Sequence, residues 1–182
     1  MPRVPVHTLE DAPEGSRPAL ERQSKRVGKT LNVFGTMAHA PALIGLYDAA
    51  ETVLAERSSL DAPTREALHL TVAAVNDCAY CQAAYTGAVK REGFSTEQAL
   101  EIRRGRVEGE PATSALLAVA REIADRRGHV EEATWQAALD IGWSPAELLD
   151  AYAEVVRTVL TNWLNHLNGT ELDLPAAPPL EG

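Results

Sequence analysis

Helix punctuation recurs along most of this chain and leaves little room for a sheet. Ser95-Thr96-Glu97-Gln98 and Ser144-Pro145-Ala146-Glu147 each place a hydroxyl side chain three residues before a Gln or Glu. Such a pair satisfies free backbone N–H groups reciprocally at a helix start, and Pro145 suits the first helical position, where its missing N–H costs nothing. Gly93, Gly105, Gly128, Gly142 and Gly169 fall where successive apolar patterns stop, as expected of left-handed helix ends. Ala and Leu dominate, aromatic residues are only 5%, and no alternating β-branched stretch is bounded by turns. The expectation is an all-α, single-domain bundle of about eight helices, at roughly 18–29, 41–57, 63–75, 78–92, 96–104, 111–127, 131–141 and 145–167.

The ends differ from the middle. Pro2, Pro5, Pro13, Gly15 and Pro18 interrupt the start, and Pro175, Pro178 and Pro179 follow Gly169. Residues 1–17 and 169–182 therefore read as extended arms flanking a helical domain at 18–168. Arms of this kind often wrap a neighbouring subunit, and together with the Ala- and Leu-rich helices they lead to the expectation of a homo-oligomer: a dimer, trimer or hexamer.

At 182 residues one core can form without covalent staples. No apolar run approaches the ~20 residues that span a bilayer, and Met1-Pro2-Arg3-Val4-Pro5 has no long apolar stretch of the kind a signal peptide needs. The reading is a soluble cytoplasmic protein with no membrane partner. A net charge of −9 argues against nucleic acid, because phosphate affinity is built from clustered Lys and Arg. The nearest approach to a basic cluster, Arg103, Arg104 and Arg106, reads as a helix-end feature.

The only two cysteines, Cys78 and Cys81, lie three apart in Asn76-Asp77-Cys78-Ala79-Tyr80-Cys81. Such a pair is a thiol/disulfide redox couple or half of a zinc site, and zinc wants four ligands where this chain offers two sulfurs. Redox chemistry is the favoured reading. Asn76 or Asp77 is expected to cap the following helix, leaving Cys78 at its first position, where free N–H groups and the positive helix end favour a thiolate. Glu66 and His69 share one face of the preceding helix; Cys78, Cys81 and Tyr85 share one face of the next. If the two helices fold back at Asp77, His69 and Tyr85 are each eight residues from the turn and lie level. A path of carboxylate, imidazole, phenol or water, and thiol could then move a proton to or from sulfur. Each residue also has an ordinary reading: a first-turn acid at Glu66, a hydrogen-bonded core histidine at His69, a packed ring at Tyr85.

In order and spacing, Arg65-Glu66-Ala67-Leu68, the run Val72 to Asn76 and Cys78-Ala79-Tyr80-Cys81 resemble the AhpD-like branch of the carboxymuconolactone decarboxylase superfamily. Met37-Ala38-His39-Ala40-Pro41-Ala42-Leu43 and Asn165 to Asp173 resemble its peroxidase-related members, so the likeness covers most of residues 30 to 173. It implies an oligomeric helical fold with alkyl hydroperoxidase or protein-disulfide reductase chemistry, without metal or organic cofactor. Cys81 would attack a small-molecule hydroperoxide or a partner disulfide and Cys78 resolve it. Glu66 would relay a proton, and an external dithiol or thioredoxin-like protein would reset the pair. The chain departs from the pattern at Tyr85, which stands where the family has a histidine. With a phenol's reference pKa of about 10, Tyr85 is a poor base at neutral pH, so His69 is expected to take that role. Lactone decarboxylation, and a non-enzymatic redox-responsive or zinc-binding module, are the alternatives. His166, among Asn162, Asn165 and Asn168, reads as a helix-end or subunit contact that could also reach the cysteines; His39 reads as a capping or interface residue. His7 and His129 carry no motif, and Trp135, Trp143 and Trp163 read as core or interface anchors.

Overall fold

A computed structural model describes residues 1–180, and among these no strand occurs. After a short 3-10 turn at Glu14–Ser16, the helices are α1 (Arg17–Val27), α2 (Asn32–Met37), α3 (Pro41–Arg57), α4 (Ala62–Val75), α5 (Ala79–Arg91), α6 (Thr96–Arg103), α7 (Pro111–Asp125), α8 (Glu132–Asp140) and α9 (Pro145–Asn168). The all-α reading holds, and both capping boxes form at Ser95 and Ser144. No helix among the described residues is long and apolar enough to cross a membrane.

The helix that sequence reasoning missed is α2. Its six residues, Asn-Val-Phe-Gly-Thr-Met, mix two β-branched residues with a glycine, and no side chain caps its start. Local propensity is weak, so packing makes the helix: Val33, Phe34 and Met37 are all buried. Gly35 also meets the N-terminal arm. His7 N–H donates to the Gly35 carbonyl, and a Cβ on Gly35 would lie 2.4 Å from both His7 O and Val6 Cγ1.

Within the described residues both arms, the second of them to residue 180, lie against their own chain. Arg3 and Val4 N–H groups donate to the carbonyl and side-chain oxygens of Asn168, and His39 Nε2 is 2.7 Å from Pro5 O. At the other end, Asp173 accepts from Tyr80 Oη at 2.6 Å and pairs with Lys29 at 3.3 Å. Arg103 is a buried residue holding Gln82 Oε1 and the Pro178 carbonyl, so it anchors the second arm.

Two apolar clusters build the interior. One gathers Leu68, Leu70, Ile102, Leu116, Leu117 and Leu148 from α4, α6, α7 and α9, with Trp135 and Trp143 packed partly buried against it. The other gathers Leu20, Phe34, Met37, Ile44 and Tyr47 around both cysteines. Tyr85 packs against both clusters, at the seam where the site lies.

Gly35→Ala is expected to cost about 1–3 kcal/mol, because the arm backbone must shift to admit a methyl group. Chemical unfolding and protease cleavage within residues 1–12 check it: the variant should lose stability and expose the arm, and unchanged protection would show that the close approach is not needed.

Candidate active site

Only Asn76, Asp77 and Cys78 separate α4 from α5, so the chain reverses almost at once. Asp77 takes φ of +50°, a left-handed conformation that a short polar side chain tolerates. That geometry corrects the expected cap. Neither Asn76 nor Asp77 occupies it; Cys78 is the cap residue, with extended backbone, and its sulfur accepts from Cys81 N–H at 3.2 Å. Cys81 sits one turn in. The two cysteines are joined as a disulfide with Cα atoms 5.3 Å apart. Asn76 Nδ2 donates to Asn162 Oδ1, tying the turn to α9. His166 also reaches this turn, but its Nε2 lies 3.3 Å from Asp77 O rather than near a sulfur or the last carbonyls of its own helix.

Beside the disulfide opens a pocket of about 470 Å³. Cys81, Glu66, Tyr80 and Tyr85 line it, whereas Cys78 does not. Asn165, on the inner face of α9, sends its Nδ2 to 3.2 Å from Cys81 Sγ and 3.9 Å from Cys78 Sγ. Its Oδ1 is buried without a hydrogen-bond partner.

Behind Glu66 lies a buried layer of charge. His69 is only 2% exposed; its Nδ1 is 3.2 Å from Glu66 Oε2 and its Nε2 is 2.8 Å from Glu154 Oε2. The Arg157 guanidinium lies 2.6 and 2.9 Å from the two ring nitrogens and 3.0 Å from Glu51 Oε2. It also donates to Tyr47 Oη at 2.9 Å. Arg65 completes the pairing of Glu154, and Arg26 that of Glu51. Tyr85 lies level with His69 as the residue count predicts, their ring centroids 5.0 Å apart. Its hydroxyl is 3.5 Å from Arg157 Nη1.

Glu66, His69 and Tyr85 are thus brought together on the side of the pocket that holds Cys81. Sequence reasoning missed Glu51, Glu154, Arg157 and Asn165. The last three come from α9, more than 70 residues from the cysteine motif, and the signal that could have found them is the polar face Glu154, Thr158, Thr161, Asn165, Asn168 at helical spacing.

Burial alone would raise the Glu66 carboxyl, but the hydrogen bond and charge of His69, with the charges of Arg157 and Arg26, outweigh it and hold it down at about 2. The same contest at Glu154, with His69, Arg157 and Arg65 against burial, ends at about 2. Both carboxylates bind protons more weakly folded than unfolded, where 4.5 is ordinary. The stability they contribute is complete above about pH 4.5 and is lost as pH falls towards about 2. Unfolding midpoints measured from pH 6 to pH 2 should therefore drop steeply in that window, and Glu154→Gln should flatten the drop. The same variant should be less stable at neutral pH by about 3–5 kcal/mol, because its cationic partners stay buried. Parallel pH profiles for the two proteins would remove this account.

Residues 41–122 match the model of the carboxymuconolactone decarboxylase family. No curated protein sequence matches the chain significantly. Among solved structures, an alkylhydroperoxidase AhpD core, an uncharacterized peroxidase-related protein from Ralstonia eutropha JMP134, superposes with a TM-score of 0.83 at 22% identity, over 94% of this chain and 92% of its own. A peroxidase-related protein from Silicibacter sp. TM1040 gives 0.77 at 18% identity over 93% of each chain. The debrominase Bmp8, crystallised with 2,3,4-tribromopyrrole, gives 0.81 at 14% identity over 94% and 91%. The likeness to the carboxymuconolactone decarboxylase family thus runs from the start of α3 into α7, and the chain as a whole shares the all-helical fold of the AhpD core protein.

Proposed function

We propose that the protein is a thiol-dependent oxidoreductase that reduces hydroperoxides through Cys81 and Cys78. The observation that carries this reading is the position of Cys81: it lines an open pocket with an amide donor 3.2 Å from its sulfur, while its bonded partner Cys78 is withdrawn from the pocket. The family match and the peroxidase-related neighbours support the same chemistry.

In the proposed cycle the Cys81 thiolate attacks the distal oxygen of R–OOH. An S–O bond forms, the O–O bond breaks, and the alkoxide takes a proton and leaves as R–OH. Cys78 attacks the sulfenic sulfur, the disulfide forms and water leaves. An external dithiol then returns both sulfurs to thiols and is itself oxidised to a disulfide. Asn165 Nδ2–H stabilises negative charge on Cys81 sulfur. Glu66 is the carboxylate of the buried layer that lines the pocket, so proton traffic between substrate and His69 passes along the Glu66–His69 hydrogen bond.

Dithiol-driven consumption of hydroperoxide by the full chain tests the proposal, with loss expected for Cys81→Ser. Cys78→Ser should trap a sulfenic acid on Cys81, and trapping with the opposite substitution would exchange the two roles. Debromination of a bromopyrrole without any turnover of hydroperoxide would overturn the peroxidase reading. His69→Gln should slow oxidation of Cys81 by roughly 10²-fold per folded molecule, with Tyr85→Phe mattering less. If His69 serves packing alone, its variant loses stability and keeps the rate–pH profile.

A homo-oligomer belongs to the same proposal. The outer face of α9 exposes Leu149, Tyr152, Val156, Trp163 and Leu167, spaced like a helix-pairing seam that a second copy could cover. Light scattering should give a multiple of the chain mass, and Trp163→Glu with Leu167→Glu should lower it. A monomer at micromolar concentration ends the idea.

A further inference from the structure

The pocket is a groove with one reactive end. Along α5 its floor is Cys81, Ala84, Ala88 and Arg91, residues three and four apart on a single face. Ten residues separate Cys81 from Arg91, which at the helical rise is about 15 Å. Between them the floor is set back because the side chains of Ala84 and Ala88 are methyl groups, and the walls are apolar: Val27, Leu31, Phe34 and Leu174.

Cations stand around this apolar channel although the chain carries a net charge of −9. Two of them are engaged, Arg26 with Glu51 and Lys29 with Asp173. Arg91 is different. It has no hydrogen bond or ion pair among the described residues, and its Nη1 lies 3.5 Å from where a Cβ on Gly87 would stand, so the guanidinium folds back over α5 towards the cysteines. An unpaired guanidinium at one end, beside Gly87, an apolar trough of about 9 Å over the six-residue rise from Gly87 to Cys81, and a sulfur at the other together describe the ligand.

We infer that the groove binds a long amphipathic anion: a carboxylate at Arg91, an apolar body across Ala88 and Ala84, and the reacting group at Cys81. Resting on the peroxidase reading above, the substrate class is the hydroperoxide of a long-chain carboxylic acid, with the peroxide remote from the carboxylate. Arg91 at the last turn of α5 also complements the helix dipole. That role alone affects stability and is blind to the charge of a ligand.

The experiment compares the hydroperoxide of linoleic acid, its methyl ester and tert-butyl hydroperoxide, with dithiothreitol as reductant. Alongside it, the rate of Cys81 alkylation in the reduced protein is followed with and without oleate, a carboxylate with no peroxide. The acid should exceed the ester in kcat/KM by about tenfold, the scale of a hydrogen-bonded charge pair, and Arg91→Gln should abolish that ratio while Arg91→Lys keeps part of it. Oleate should protect Cys81 in the wild-type protein and much less in Arg91→Gln. Equal turnover of acid and ester without protection by oleate would overturn the inference and leave the peroxidase intact. Protection that depends on Arg91 without turnover of any hydroperoxide would support the anion groove and overturn the peroxidase. Absence of both would remove both.

Discussion

The paired burial of Glu154 and Arg157 on α9 is the constraint on which the site depends. Their side chains are 0% and 3% exposed, and such charges survive burial only if each finds partners. Those partners come from everywhere around them: Glu51 and Tyr47 from α3, Arg65 and His69 from α4, and through Glu51 also Arg26 from α1. Four helices are thereby held in one register. The same register places Asn165, two turns beyond Arg157 on the same face of α9, against the sulfur of Cys81. The geometry around the cysteines is therefore set by ion pairs made elsewhere on the helix.

Helix α9 is polar towards the protein over much of its length. Glu154, Arg157, Thr158, Thr161, Asn162, Asn165 and Asn168 face inward, while Tyr152, Val156, Trp163 and Leu167 face outward. This inversion explains which parts of the site were legible in the sequence. Glu66, His69, Cys78, Cys81 and Tyr85 lie within 20 residues on two helices joined by a tight turn, so counting from Asp77 was enough to place His69 level with Tyr85. Glu154 and Arg157 lie more than 70 residues beyond Cys81, and only the tertiary fold brings them to His69.

Fold class was legible for a related reason. Capping boxes at Ser95 and Ser144 are local chemistry and formed as read, whereas α2 owes its existence to burial of Val33, Phe34 and Met37. The cap of α5 was misread because a polar residue beside a helix start usually caps it. Here the turn is so short that Asp77 must adopt a left-handed conformation, which passes the capping position on to Cys78.

That displaced cap bears on the return half of the proposed cycle. In that proposal a reductant entering by the pocket would meet Cys81, and the bond it broke would expel Cys78 as the leaving group. Leaving is faster when the departing thiolate is stabilised, and a sulfur at a helix start that already receives the Cys81 N–H has that stabilisation built in. Had Asp77 kept the cap, its carboxylate would have turned to the N–H of Ala79 or Tyr80 and set a negative charge beside the departing sulfur. Under the proposed chemistry, a left-handed backbone at a single residue would thus make Cys78 a better nucleofuge.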